Sequence, residues 1–201
     1  MVDLYARRAD GLRQRLPVRR WFGASDITVD ERRGDEELIG GCDGPTIDLA
    51  CGRGRLVSQL VRRGVCALGV DVSPVAVAAT RLGGAPAIQR DVFGRLPGAG
   101  RWDYAILADG NLGIGGDPVR MLARTRDLLG PGGVAIVEFG VRGTGFNTMA
   151  IRLETGTERG PWIPWAQAGV EMAAELGASA GLRVLAESEV AGRHIVRLAA
   201  Q

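Results

Sequence analysis

Apolar and polar positions along this 201-residue chain follow two rhythms. From Pro45 onward, apolar runs too short for helices are separated by segments whose apolar residues recur every three to four positions. The pattern predicts strands at Thr46 to Leu49, Cys66 to Val70 and Ala87 to Gln89, with helices at Arg55 to Arg63 and Pro74 to Leu82 between them. It continues with a strand from Tyr104 to Ala108 and a strand from Val134 to Phe139. Between these lies a helix from Pro118 to Leu129, with Pro at its start and Gly130 past its end. Thr148 to Glu154 reads as irregular or strand-like, a proline-tryptophan segment follows, and Val170 to Ala180 reads as a helix. The strands Arg183 to Val190 and His194 to Ala199 are split only by Ala191-Gly192-Arg193, so the last strand is expected antiparallel to its partner. Such alternation predicts an α/β fold, a mostly parallel sheet with helices on both faces.

Ahead of this region the rhythm is less regular. Leu4, Leu12 and Leu16 among arginines suggest an amphipathic helix over residues 3 to 16, broken at Pro17. A charge-rich stretch over residues 26 to 40 suggests a second short helix. The length fits one domain, with 1–44 as a helical appendage or lid, 45–140 as the ligand-binding core and 141–201 as a further segment ending in the hairpin.

Composition narrows the chemistry. The net charge is only +2, and all the basic residues are arginine, which excludes Schiff-base, pyridoxal-anchoring and P-loop lysines. The arginines are interleaved with acids, so no nucleic-acid partner is expected. Cys42, Cys51 and Cys66 form no CxxC pair and there is a single histidine, so no metal site is expected and reduced thiols fit best. The N-terminus has no apolar signal region and the chain has no spanning apolar run, so a cytoplasmic protein without membrane contact is expected.

The most specific signal is Thr46-Ile-Asp-Leu-Ala-Cys-Gly-Arg-Gly-Arg55, a buried strand running into a glycine turn that opens a helix. Gly52 and Gly54 allow the backbone to bend and approach a ligand. A dinucleotide fingerprint has a third small residue three positions after Gly54; Val57 stands there, which argues against NAD and FAD. Asp48 before the turn and Asp71 after the next strand suit a cationic amino acid attached to a ribose, as in S-adenosylmethionine.

With these motifs in order, the region from 45 to 199 resembles the class I S-adenosylmethionine-dependent methyltransferases. Their acid-x-Gly-x-Gly-x-Gly motif corresponds to Asp48-Leu49-Ala50-Cys51-Gly52-Arg53-Gly54, with Ala50 in place of the first glycine. The resemblance implies a seven-stranded, Rossmann-like sheet. It implies that Asp71, followed by Val72 and Ser73, takes the ribose hydroxyls, and that Asp91 faces the adenine amino group with Val72 and Val92 on either side of the ring. Backbone at Ala50 and Cys51 and the loop Ala108-Asp109-Gly110-Asn111 then face the methionine portion, and S-adenosylhomocysteine is the product. The Asn/Asp-Pro-Pro-Tyr/Phe motif of DNA and protein amide methyltransferases is absent: Asp109-Gly110-Asn111-Leu112 stands there. A small-molecule acceptor, of the specialised-metabolite kind, is therefore expected, with the protein a monomer or homodimer.

Acceptor-side candidates are Trp21, Trp162, Trp165 and Asn111. His194 is a candidate proton acceptor at the turn before the last strand, and core packing is its alternative. Asp109 is a second catalytic candidate, either orienting the acceptor or supporting Asn111. Two other classes stay open: a protein that binds the same nucleoside without transferring its methyl group, and a nicotinamide oxidoreductase.

Overall fold

The computed structural model describes residues 3–21 and 28–200. The chain begins with a hairpin, β1 (Tyr5–Arg8) and β2 (Arg13–Arg15), followed by one turn of helix, α1 (Val18–Trp21), and by α2 (Val29–Ile39). The core then runs β3 (Thr46–Leu49), α3 (Arg55–Arg62), β4 (Ala67–Asp71), α4 (Pro74–Leu82), β5 (Ala87–Gln89) and β6 (Trp102–Leu107). A 3₁₀ turn at Asn111–Gly113 leads to α5 (Pro118–Leu128) and β7 (Leu129–Phe139). After β8 (Phe146–Glu154) and β9 (Ile163–Ala168) come α6 (Ala173–Ser179), β10 (Leu182–Val190) and β11 (Arg193–Ala200).

Seven strands form the main sheet in the order β10-β11-β7-β6-β3-β4-β5. β3 is parallel to both β4 and β6, β6 is parallel to β7, and β11 runs antiparallel to β7 and β10, as the short Ala191–Gly192 connection requires. The fold is thus the α/β arrangement anticipated from the strand and helix rhythm. Side-chain alternation divides the core in two. Ile47, Leu49, Leu107 and Val196 face α5 and α6, whereas Ile106, Ile136 and Ile195 face α2 and α3. The chain moves outward from β3 to β5 and then crosses back to β6 on the other side of β3. Between β3 and β6 lies the switch point at which open α/β sheets hold ligands.

One expectation fails. Residues 3 to 16 are not a helix: β1 pairs with β2 and, on its other side, with β8, so the segment is part of a separate four-stranded antiparallel sheet, β2-β1-β8-β9. Three leucines spaced over thirteen residues do not make a continuous helical stripe, and the Asp10-Gly11 turn favours a hairpin; Gly11 has φ +93 and Leu12 N–H donates to the Asp10 carboxylate. The proline-tryptophan segment leads into β9, which pairs with β8 along the edge that β1 leaves free. The helix expected over 26 to 40 is present as α2, with a reciprocal cap between Thr28 and Glu31.

Candidate functional site

The turn after β3 is shaped by three positive-φ residues in five positions. Ala50 has φ +58, Gly52 +56 and Gly54 +73. At Gly54 a side chain is excluded twice over, by the left-handed backbone and by Thr80 of α4, whose methyl group occupies the space of a Cβ. Thr80 Oγ1 also donates to the Gly52 carbonyl, so α4 closes the back of the turn while nothing lies within 4 Å of a Cβ at Gly52. Asp71, at the end of β4, accepts the Gly52 N–H at 2.8 Å with one oxygen and the Ser73 N–H at 2.8 Å with the other. One carboxylate therefore ties the turn to the start of α4.

Opposite the turn, across the switch point, the loop after β6 carries Ala108, Asp109, Gly110 and Asn111. The Asn111 amide donates to the carbonyls of Leu49 (3.1 Å) and Ala50 (3.0 Å). It braces the end of β3, so its donor end is committed to the protein. Asp109 sits at φ +55, its N–H held by Glu138 of β7 at 2.7 Å.

Beneath this loop is an ionic network that the motifs did not reveal. Arg55, the first residue of α3, pairs with Asp109 at 2.7 Å and with Asp35 of α2. Arg193 of β11 pairs with Asp35 at 2.9 Å and with Glu138 at 2.7 Å, and lies 3.7 Å from Asp109. Both arginines are 7 % exposed and Asp35 is fully buried. Arg193 reaches Asp35 only because α2 has glycine at position 34; a Cβ there would lie 2.6 Å from Arg193 Cδ. The signal existed in charged residues inside otherwise apolar strands, Glu138 after Val134-Ala-Ile-Val and Arg193 beside His194, and such residues are buried only when paired.

Asp48 lies among these groups, its carboxyl without an ion pair or hydrogen bond from the described residues. Its burial, together with the nearby charges of Asp109 and Asp71, pushes its carboxyl well above the usual carboxylate range. Around the switch point, Asp35, Asp109 and Glu138 pair with Arg55 and Arg193, while the carboxyls of Asp48 and Asp71 have no ion pair among the described residues. Cys51 has its thiol raised by burial and then by Asp48 and Asp71, so it is no nucleophile; it packs on Gly69 of β4, where a Cβ would meet its Sγ at 2.6 Å.

The remaining candidates are placed as follows. Val72 is 64 % exposed beside Asp71 and offers an apolar surface, but Val92 is 2 % exposed and belongs to the main core, so its side chain is not one wall of an adenine slot. Asp91 accepts the Phe93 N–H and leaves its other oxygen open. His194 corrects the expectation of a proton acceptor at the final turn. It alternates with Arg193, which places it on the face of Val196 and Leu198, away from the Asp109 network; Nδ1 is buried without a hydrogen bond, 3.9 Å from Glu189. Arg193 is the residue of that turn that reaches the site. Asp109 is held by two arginines, which suits orientation better than proton abstraction. Trp165 packs on Gly113 in the 3₁₀ turn, Trp162 is 46 % exposed beneath Arg152, and Trp21 in α1 has a buried indole N–H with no partner among the described residues. Phe22, next to Trp21 in the sequence, lies outside the described residues.

No protein-family model matches the sequence, and no curated protein matches it. Solved structures do match. A methyltransferase from Bacteroides fragilis, crystallised with S-adenosylhomocysteine, superposes with a TM-score of 0.78 at 18% identity, over 98% of this chain and 87% of that one. CcbJ methyltransferase from Streptomyces caelestis gives 0.64 at 16% identity, over 87% and 97%. The sugar N-methyltransferase KedS8 from a Streptoalloteichus species gives 0.62 at 18% identity, over 89% and 90%. The chain has the class I methyltransferase fold. Among the described residues no group of His, Cys, Asp and Glu is arranged to hold a metal, and no helix is long and apolar enough to cross a membrane.

Proposed function

We propose that the protein transfers a methyl group from S-adenosylmethionine to a small-molecule acceptor. The observation that carries this reading is the unbalanced acid at the switch point: a buried Asp48 without a counter-ion among the described residues, next to Asp71 and Asp109, around an open glycine turn. A buried carboxyl is costly unless something compensates it, and a cationic ligand at the turn is the compensation this geometry lacks. The cofactor would supply a methyl group on a sulfonium, already a good leaving group, so the protein's task is alignment and exclusion of water, worth on the order of 7–11 kcal/mol when orientation is good.

The chain's own residues divide that task. Asp71 fixes the turn through two backbone amides and keeps acceptor capacity on both oxygens for neighbouring hydroxyls. Val72 offers an apolar face, and Asp91 an open carboxylate oxygen. Asn111 and Glu138 hold the loop across from them, with Arg55 and Arg193 orienting Asp109. Among the described residues no side chain is poised as a strong base, which methyl transfer does not require. Trp21 in α1, Trp162 just before β9 and Trp165 in β9 lie outside the parallel core and are the proposed acceptor side. The sugar N-methyltransferase among the fold neighbours supports an acceptor of small-molecule size, a specialised metabolite among them.

Mass spectrometry of the purified protein for co-bound nucleoside, then calorimetry with S-adenosylhomocysteine, tests the reading. Binding is expected, and Asp71→Ala should weaken it at least tenfold. Labelled methyl transfer into small-molecule fractions of an extract then separates an enzyme from a protein that only binds the nucleoside. Absence of S-adenosylhomocysteine binding, or preference for NADH, would overturn the proposal.

A further inference from the structure

We propose that the outlying four-stranded sheet carries a site for a multiply charged oxyanion, such as a phosphate or pyrophosphate group on a small molecule. Strand register places Tyr5, Arg7, Arg13, Arg152 and Glu154 on one face of that sheet. Three guanidiniums converge on the single carboxylate. Arg7 Nε donates to both oxygens of Glu154 at 3.0 Å, Arg13 Nε lies 3.0 Å from one oxygen, and Arg152 Nε lies 3.4 Å from the other. Glu154 is 5 % exposed beneath them, and the arginine beside it in the adjoining loop, Arg159, makes no side-chain ion pair or hydrogen bond among the described residues. The neighbouring acids are taken: Asp3 pairs with Arg15 and Asp10 with Arg8.

A merely structural cluster does not explain this arrangement. Arg7 alone satisfies Glu154 at both oxygens, yet Arg13 and Arg152 are added to the same point, bringing like charges together at the junction of two hairpins. All of Glu154's partners approach through Nε. The terminal nitrogens of Arg13 and Arg152 make no hydrogen bond among the described residues, although they are the ends with which guanidinium forks oxyanions. Their planes are held by aromatic rings, Arg13 over Tyr5 at 3.6 Å and Arg152 over Trp162 at 4.8 Å, which fixes the donors in advance. Arg7, Arg13 and Arg159 line a polar cavity of about 350 Å³ with Glu154 and the Thr155–Thr157 loop, room for a small anion rather than a groove for a polymer. The inference does not depend on the methyl-transfer reading.

Calorimetry of the full chain with pyrophosphate, and with acetate as a single-charge control, tests it. Pyrophosphate should saturate one site and weaken as salt is raised, while acetate should not saturate. Arg159→Ala, which breaks no ion pair, should weaken pyrophosphate about tenfold with the thermal unfolding curve unchanged. Arg152→Ala should weaken it at least as much and abolish any change in tryptophan fluorescence that pyrophosphate produces at Trp162. Non-saturable pyrophosphate binding, or binding that Arg159→Ala and Arg152→Ala leave intact, would overturn the proposal. So would a single-stranded oligonucleotide captured more tightly than pyrophosphate through the same arginines.

Discussion

Replacing Gly34 with alanine tests whether the buried ionic network holds the site together. In an unconstrained helix interior this change favours folding by about 1 kcal/mol, since glycine has more freedom to lose. Here the added Cβ would stand 2.6 Å from Arg193 Cδ, 2.8 Å from Nη1 and 3.3 Å from Nε. An exposed arginine would swing aside at little cost. Arg193 cannot, because its far end is 2.9 Å from Asp35 and 2.7–2.8 Å from Glu138 in a buried setting. Withdrawing one partner from such a pair costs about 3–5 kcal/mol. Set against the helix preference, Gly34→Ala should destabilise the protein by about 2–4 kcal/mol, lowering Tm by roughly 5–15 °C for a domain of this size. Thermal and urea unfolding measure this directly. In an Arg193→Met background the side chain is no longer pinned by Asp35 and Glu138 and can yield to the Cβ, so the alanine should recover its ordinary advantage, giving a coupling of about 3–5 kcal/mol in the double-mutant cycle. A single mutant as stable as the parent, or a cycle with no coupling, refutes the network's role.

Ala50→Gly should stabilise the protein by about 0.5–1 kcal/mol, a rise of a few degrees in Tm, because alanine at φ +58 bears a left-handed penalty that glycine does not. Asp48→Asn should raise stability at neutral pH and leave it unchanged near pH 3, compared by urea unfolding at each pH. The folded-state pKa of Asp48 is raised, so the parent's stability is fully present below the unfolded carboxylate pKa and falls as pH climbs towards the folded one; the amide does not titrate. The same variant should bind S-adenosylhomocysteine with less loss than S-adenosylmethionine, since only the latter carries the sulfonium. Titration of the native protein with a chromogenic disulfide at pH 8 should modify one thiol: Cys66 is exposed, whereas burial lifts Cys42 to about 11 and Cys51 higher still. Rapid reaction of a second thiol would contradict the packing of Cys51 on Gly69.

The parallel core was legible because its signals are local. A four-residue apolar strand, a glycine turn and an amphipathic helix each lie within a dozen positions, and the acids Asp48, Asp71 and Asp91 fall at strand ends that the same rhythm locates. The short Ala191-Gly192 connection likewise announced the antiparallel last strand. The N-terminal hairpin was not legible, because β1 pairs on one side with β8, about 145 residues later, and the Asp10-Gly11 turn is the one local signal for its pairing with β2. The network was hidden for a related reason. Asp35, Arg55, Glu138 and Arg193 come from four separated segments, and although Glu138 and Arg193 stand in apolar strands, nothing local says which charges pair with them. His194 shows the limit of an argument from sheet edges: topology brought the turn to the correct end of the sheet, but side-chain alternation assigned Arg193, not its neighbour, to the face that matters.

That network also explains how a strained loop persists beside an over-acidic crevice. Asp109 at φ +55 is sterically disfavoured, a conformation that survives only when its surroundings over-determine it. Glu138 does so from below by binding the Asp109 N–H and Arg193 together, and Arg55 does so from α3 by binding the Asp109 carboxylate. The two arginines are therefore spent on geometry, each shared between acids, and leave Asp48 uncompensated. Adding a third cation would relieve that burial but would fill the crevice with protein charge. Under the methyl-transfer reading, the unfavourable carboxyl is the source of discrimination: it favours a ligand bearing a sulfonium over the neutral thioether left after transfer. Product release and cofactor selection then follow from one buried acid.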